Sequence, residues 1–191
     1  MISLNTFNGV AFEELDLPDL QIIGESLFIH EIRGLTNLDG LSSLVSVGKH
    51  FRVTNCFDLT SLDGIENLET VGDELYVTGN PDIVNIDGLV GIREVPGRML
   101  HVSSNASLEN IQGLENLTRV GGSVRIWNNP YLESLAGLEN LSSIGESAND
   151  DYQDLEVRQN TRLRELDALS GIENIYGHLR IQTNNALQSL S

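Results

Sequence analysis

Seven triplets of residues at spacing two hold most of the side chains of this chain that are suited to chemistry. They are Ser26, Phe28, His30; His50, Arg52, Thr54; Glu74, Tyr76, Thr78; Met99, His101, Ser103; Ser123, Arg125, Trp127; Asp154, Glu156, Arg158; and His178, Arg180, Gln182. Together they take in all four histidines, the one tryptophan and four of the eleven basic residues, but only three of the 28 acids. Two kinds of chemistry suit such a set. Asp154 and Glu156 beside His178 are the residue types that divide acid and base roles in glycoside cleavage. Arginine, tryptophan and tyrosine are the types that dominate binding hot spots. The histidines lie far apart in sequence and show no short metal-ligand spacing, so no metal site is expected. Asp39, Asp63 and Asp87 form an acidic row that would suit calcium, but the glycine-rich calcium-binding signature is missing, and turn capping is the favoured reading.

The elements that must position these triplets come from a repeat. Each triplet brackets an apolar pair: Leu27/Ile29, Phe51/Val53, Leu75/Val77, Leu100/Val102, Val124/Ile126, Leu155/Val157 and Leu179/Ile181. That alternation is the period of a strand with one face buried. Successive copies are 24 residues apart, save for one extra residue near Pro96-Gly97-Arg98 and an insertion over 147–153. A fixed period of this size marks a solenoid, in which each coil buries its apolar side against the next. Seven strands centred on Phe28, Arg52, Tyr76, His101, Arg125, Glu156 and Arg180 are therefore predicted to stack in parallel. Ile2-Ser3-Leu4 is a candidate eighth.

Three residues past each strand stand Ile32, Cys56, Asn80, Asn105, Asn129, Asn160 and Asn184. An amide turned inward at a corner can bond the backbone of the neighbouring coil, and stacked copies would form a ladder. Cys56 then fills an asparagine place and is a structural thiol rather than a reactive one. Leucine and isoleucine rows follow, such as Leu132/Leu135 and Leu138/Leu141, with Asp-Gly turns between them at Asp39-Gly40, Asp63-Gly64 and Asp87-Gly88. Asn105, Asn116 and Asn140 begin glycosylation sequons. Asn105 belongs to the inward row, and the set reads as incidental.

A formal charge of -17, with one lysine and ten arginines, opposes nucleic-acid binding, which needs clustered cations. It opposes an anionic membrane surface as well. No apolar run approaches the ~18 residues of a membrane span. The start lacks the basic and apolar regions of a signal peptide. The lone Cys56 excludes an internal disulfide.

The units Gly113-Leu114-Glu115-Asn116-Leu117, Val120-Gly121-Gly122, Val124-Arg125-Ile126, Asn128-Asn129-Pro130, Leu132 and Leu135 resemble the receptor L domain, over about residues 20 to 190. That family is known from the insulin and epidermal growth factor receptor ectodomains and from microbial surface proteins. This chain lacks the receptors' capping cysteines and resembles the microbial repeats more. The resemblance implies a β-rich solenoid, a right-handed β-helix-like leucine-rich repeat with one main parallel sheet of seven strands, or eight. It also implies an extracellular or cell-surface setting. Residues 1–191 read as a single domain with an irregular coil over 1–20. The C-terminal end looks uncapped, as in part of a longer protein, or in one that self-associates end to end.

Taken together, these features point to a non-catalytic module, without cofactor, that binds a protein or glycan through Phe28, His30, Arg52, Tyr76, His101, Arg125, Trp127, Arg158 and Arg180. A β-helix enzyme acting on polysaccharide and a ligand-free spacer are the alternatives.

Overall fold

The computed structural model describes residues 2–5, 15–145 and 153–188. Its coils stack along one axis, and every strand pair in it is parallel. The main sheet has eight strands: Ile2–Asn5, Leu27–His30, His50–Thr54, Glu74–Thr78, Met99–Ser103, Ser123–Trp127, Leu155–Arg158 and Leu179–Gln182. Each pairs with the next in chain order, so the expected eighth strand is present. The register is the predicted one: Arg52 lies opposite Tyr76, Tyr76 opposite His101, His101 opposite Arg125, and Arg125 opposite Glu156.

A second sheet was not anticipated from the sequence. The residues that close each coil form seven two-residue strands, from Ile22–Ile23 to Asn174–Ile175, again pairing in parallel from coil to coil. Two residues are too few for the alternation of a strand to show. What the sequence displays instead is one inward valine or isoleucine per coil, namely Val47, Val71, Val95, Val120 and Ile144, all fully buried. These rows and the leucine rows form one continuous apolar column. Each fully buried leucine contributes roughly 1.5 to 3 kcal/mol, so the column outweighs any surface interaction in holding the coils together.

The corner after each strand is made by backbone rather than by side-chain preference. Glu31, Asn55, Gly79, Ser104, Asn128, Gln159 and Thr183 all have φ between 51° and 72°. For most of these residue types that region costs about 1 kcal/mol or more. The corner is offset by ladder bonds: Asn55 donates to the Thr78 carbonyl at 3.0 Å and Asn128 to that of Arg158 at 2.9 Å. It also swings the next side chain inward, where the predicted asparagine ladder lies. The Asn105 carbonyl oxygen accepts from the Asn80 backbone at 3.0 Å, and its amide donates to the Val77 carbonyl at 2.9 Å. Asn80, Asn129, Asn160 and Asn184 repeat the arrangement. Cys56 substitutes a weaker contact, its thiol 3.7 Å from the Ile29 carbonyl, and burial pushes that thiol up to about 11.

The turn row works differently from the expectation that its aspartates cap local amides. The acceptor is the residue two positions earlier: Asn37 for Asp39, Ser61 for Asp63, Asn85 for Asp87 and Asn110 for Gln112, at 3.1 to 3.3 Å. A short polar side chain reaching two residues on is an Asx or Ser turn. The glycine that follows has two separate reasons. Gly64 needs its φ of +102°, whereas Gly88 sits so close to the previous coil that a Cβ would lie 1.9 Å from the Leu62 carbonyl oxygen.

At the N-terminal end Leu15 is buried and Leu20 packs on the core, while Phe12 lies outside the described residues. Residues 147–152 of the insertion also fall outside them. In the last described coil the column opens to solvent: Leu179 is 56% exposed, and Leu169, Ile172 and Ile175 are only partly buried.

Candidate binding face

Strand alternation puts the seven triplets on the outer side of the main sheet, as expected. Not all of them meet solvent there. Ser26, Glu74, Met99, Ser103, Ser123, Asp154 and Glu156 are buried, which corrects the expectation that they would be displayed. They are covered by their longer neighbours on adjacent strands, only about 4.8 Å away.

The uncovered layer is a run of rings and guanidinium planes crossing six strands. Arg52 stacks over both Phe28 (5.6 Å) and Tyr76 (4.8 Å). Tyr76 packs against His101 at 5.0 Å, and His101 meets Trp127 edge-on at 5.3 Å. Arg125 and Arg158 then cover the tryptophan ring at 5.1 and 4.0 Å. Guanidinium planes on aromatic faces gain about 0.5 to 1 kcal/mol each when exposed and more when desolvated. The run is thereby held in place by its own contacts. Phe28, His30, Arg52, Thr54, Tyr76, Thr78 and His101 line a shallow depression of ≈ 430 Å³ within it. His30 is fixed there by a 2.8 Å bond between Nδ1 and the Thr54 hydroxyl.

Beneath this layer lie the carboxylates. Glu74 receives Arg52, Arg98 (3.2 Å) and His50 (3.2 Å), while Asp73 beside it binds Arg98 through both oxygens. Glu156 receives Arg158 at 2.7 Å, Arg180 at 3.3 Å and Arg125 at 3.5 Å. Asp154 binds Arg180, the His178 ring and the His178 backbone amide. Burial alone would raise the carboxyl groups of Asp154 and Asp73, but these amide and guanidinium bonds outweigh it and hold both below the usual range. His101 goes the other way: burial, with Arg125 nearby, pushes its imidazole down to about 4 and keeps it neutral.

All nine residues predicted as the site therefore share one surface. Phe28, His30, Arg52, Tyr76 and His101 gather at the depression, and Arg125, Trp127, Arg158 and Arg180 form the adjoining half. Sequence reasoning placed Glu74, Asp154 and Glu156 on this side of the sheet but missed that they lie buried beneath the arginines. Their signal was register: each is one strand away from an arginine in the same row or the next. His50, Asp73 and Glu74 bring possible ligand atoms within 4.8 Å of one another. A divalent cation there would have to displace two guanidiniums already neutralising the same carboxylates, so the cluster is an ion-pair network.

The family model of the receptor L domain matches residues 86–191, more than half of the chain. The chain belongs to the receptor L domain family. Receptor L domains are ligand-binding modules of receptors. No curated protein and no solved structure matches this member. Among its described residues no helix is long and apolar enough to cross a membrane.

Proposed function

We propose that this receptor L domain is a non-catalytic binding module of a cell-surface or secreted protein, and that its ligand meets the outer face of the eight-stranded sheet. The observation that carries the reading is the run of stacked rings and guanidiniums around the depression, from Phe28 through Tyr76 and Trp127 to Arg158. It combines the residue types of binding hot spots with side chains already ordered by one another, which lowers the entropy cost of association. The enzyme alternative fares worse on the same face. A carboxylate pair that divides acid and base roles needs one member kept protonated, and here both members are tied to arginines, Asp154 to Arg180 and Glu156 to Arg125, Arg158 and Arg180.

Trp127 is the only tryptophan, so its fluorescence reports occupancy of the face directly. Titration with members of a panel of extracellular proteins should shift that emission for a true ligand. Tyr76→Ala should then weaken the same ligand by about 2 kcal/mol or more, with folding nearly unchanged. A ligand that binds Tyr76→Ala and Trp127→Ala at wild-type strength, but loses affinity when Asp63 and Asp87 on the turn row are replaced, would place the site elsewhere.

A further inference from the structure

We infer that the depression on this face seats a neutral sugar ring of a glycan, with the apolar side of the sugar on the aromatic row and its hydroxyls against Thr54 and Thr78. The inference rests on the strand face being the binding face. Its first ground is that two rows crossing the strands build the depression. Phe28, Arg52, Tyr76 and His101 form the first, each opposite the next in register. This row is made of planes: the Arg52 guanidinium lies over the Phe28 and Tyr76 rings, and His101 packs on Tyr76. His30, Thr54 and Thr78 form the second row, two residues further along the strands and therefore roughly 6.6 Å away. A ligand lying across both rows meets an apolar floor and a hydroxyl edge.

The second ground is the bonding capacity that the second row has left. The Glu31 carboxylate can only accept, and it lies 3.3 Å from Nε2 of His30. It holds a proton on that nitrogen, so Nδ1 of the neutral ring accepts and the Thr54 hydroxyl donates the 2.8 Å bond between them. The Thr54 proton is thus committed, while its oxygen keeps lone pairs. Thr78 is the reverse. It accepts from the Ser103 hydroxyl at 3.3 Å, which leaves its own proton to donate. Two hydroxyls on adjacent strands, about 4.8 Å apart, therefore present one acceptor and one donor. A sugar hydroxyl both donates and accepts, so the hydroxyls of one ring satisfy both.

The third ground is charge. The described residues that line the depression include no carboxylate and one guanidinium, Arg52, which Glu74 beneath already holds. A uronate or sialate would have to compete with Glu74 for it, and to approach a chain whose net charge is -17. A neutral glycan meets neither cost. An apolar side chain of a protein would cover the rings, but it would strip water from Thr54 and Thr78 without replacing the lost bonds. The ≈ 430 Å³ of the depression falls within the size of small-ligand sites, about 300 to 1,000 Å³.

The test is titration of the intact chain with neutral oligosaccharides of glucose, mannose, galactose and N-acetylglucosamine, and with oligogalacturonate, followed by calorimetry and Trp127 fluorescence. At least one neutral series should bind, and oligogalacturonate should bind more weakly than it. Thr54→Val and Thr78→Val keep the outline of the side chain and should each weaken that sugar about fivefold, as one lost hydrogen bond would. Tyr76→Ala should weaken it about thirtyfold or more. Removing the sugar's hydroxyls one at a time should find a position that costs the wild-type chain about fivefold and costs one of the two valine variants nothing. That change leaves the protein untouched, so the result stands even if a variant folds poorly. A sugar that binds all three variants at wild-type strength, or oligogalacturonate that binds the more tightly, overturns the inference. If no neutral sugar binds, while a protein ligand shifts Trp127 emission and weakens on Tyr76→Ala, the glycan assignment falls and the strand-face reading stands. If neither sugars nor protein ligands are sensitive to Tyr76→Ala and Trp127→Ala, both are overturned.

Discussion

Replacing Glu156 by glutamine removes one charge without changing the shape of the side chain, and the surroundings of that charge set the size of the effect. The carboxylate is buried and shared by Arg125, Arg158 and Arg180. Taking one partner from a buried ion pair costs about 3 to 5 kcal/mol, because the remaining charge is left uncompensated. Arg158 and Arg180 are a third exposed and can turn toward water, which discounts the cost to just below that range, about 2 to 3 kcal/mol. For a domain of this size each kcal/mol moves the melting temperature by roughly 2 to 4 °C, so Glu156→Gln should melt roughly 5 to 10 °C below the parent. Raising the salt to about 1 M contracts the screening length to about 3 Å and should recover part of the loss. The double variant Glu156→Gln/Arg158→Gln should lose less than the two single variants summed. Differential scanning calorimetry at two salt concentrations checks all three statements. A single variant that melts within about 2 °C of the parent at both would show that the arginines are held by their aromatic contacts alone.

Asn105→Ala should cost more than Glu156→Gln in urea denaturation, since it leaves the buried Asn80 amide and Val77 carbonyl unpaired at about 1 to 3 kcal/mol each; a loss under about 1 kcal/mol would mean that the ladder is ornamental. Cys56, with its thiol pushed up to about 11 by burial, should resist a thiol reagent at pH 8 until the chain unfolds. Cys56→Asn should raise the melting temperature by continuing the ladder, and a fall would show that the corner there cannot admit an amide. The His101 imidazole, pushed down to about 4 from an ordinary 6.5, takes up its proton more readily in the unfolded chain. Its contribution is therefore complete above about pH 6.5 and is lost as pH falls toward 4; His101→Gln should flatten the stability profile in that window, and an NMR titration midpoint near 6.5 in the folded protein would refute the shift.

The solenoid was legible because the same constraint recurs at a constant interval. Alternation around Leu75/Val77 identifies a strand only weakly, but six further copies in register leave parallel stacking as the arrangement that buries every row at once. Asn80 and its equivalents were legible for the same reason, as polar side chains repeating at an inward position need partners there. Features with no shared residue type escaped. The left-handed corner is occupied by Glu31, Asn55, Gly79, Ser104, Asn128, Gln159 and Thr183. It is enforced by the bonds of the ladder, so propensity could not reveal it. The amides that cap the turns, Asn37, Asn85 and Asn110, are consistent in type but were overshadowed by the conspicuous aspartates two residues later.

The candidate face was legible in membership and misread in depth. Spacing two says only which side of a sheet a residue leaves from. Whether it reaches water depends on what stands one strand away, and that is a question of register and side-chain length. Glu156 is short beside Arg125 and Arg180, its neighbours in the row, so the long chains fold over it and their charges close the cover. The same geometry explains how an acidic protein gathers arginines on one face of the sheet. A carboxylate underneath lowers the cost of gathering guanidiniums on one surface and holds them against the rings. Removing those acids would therefore not simply make the face more positive: without Glu156 the arginines would spread apart, and the ordered run from Tyr76 to Arg158 would lose the support that holds its side chains in place.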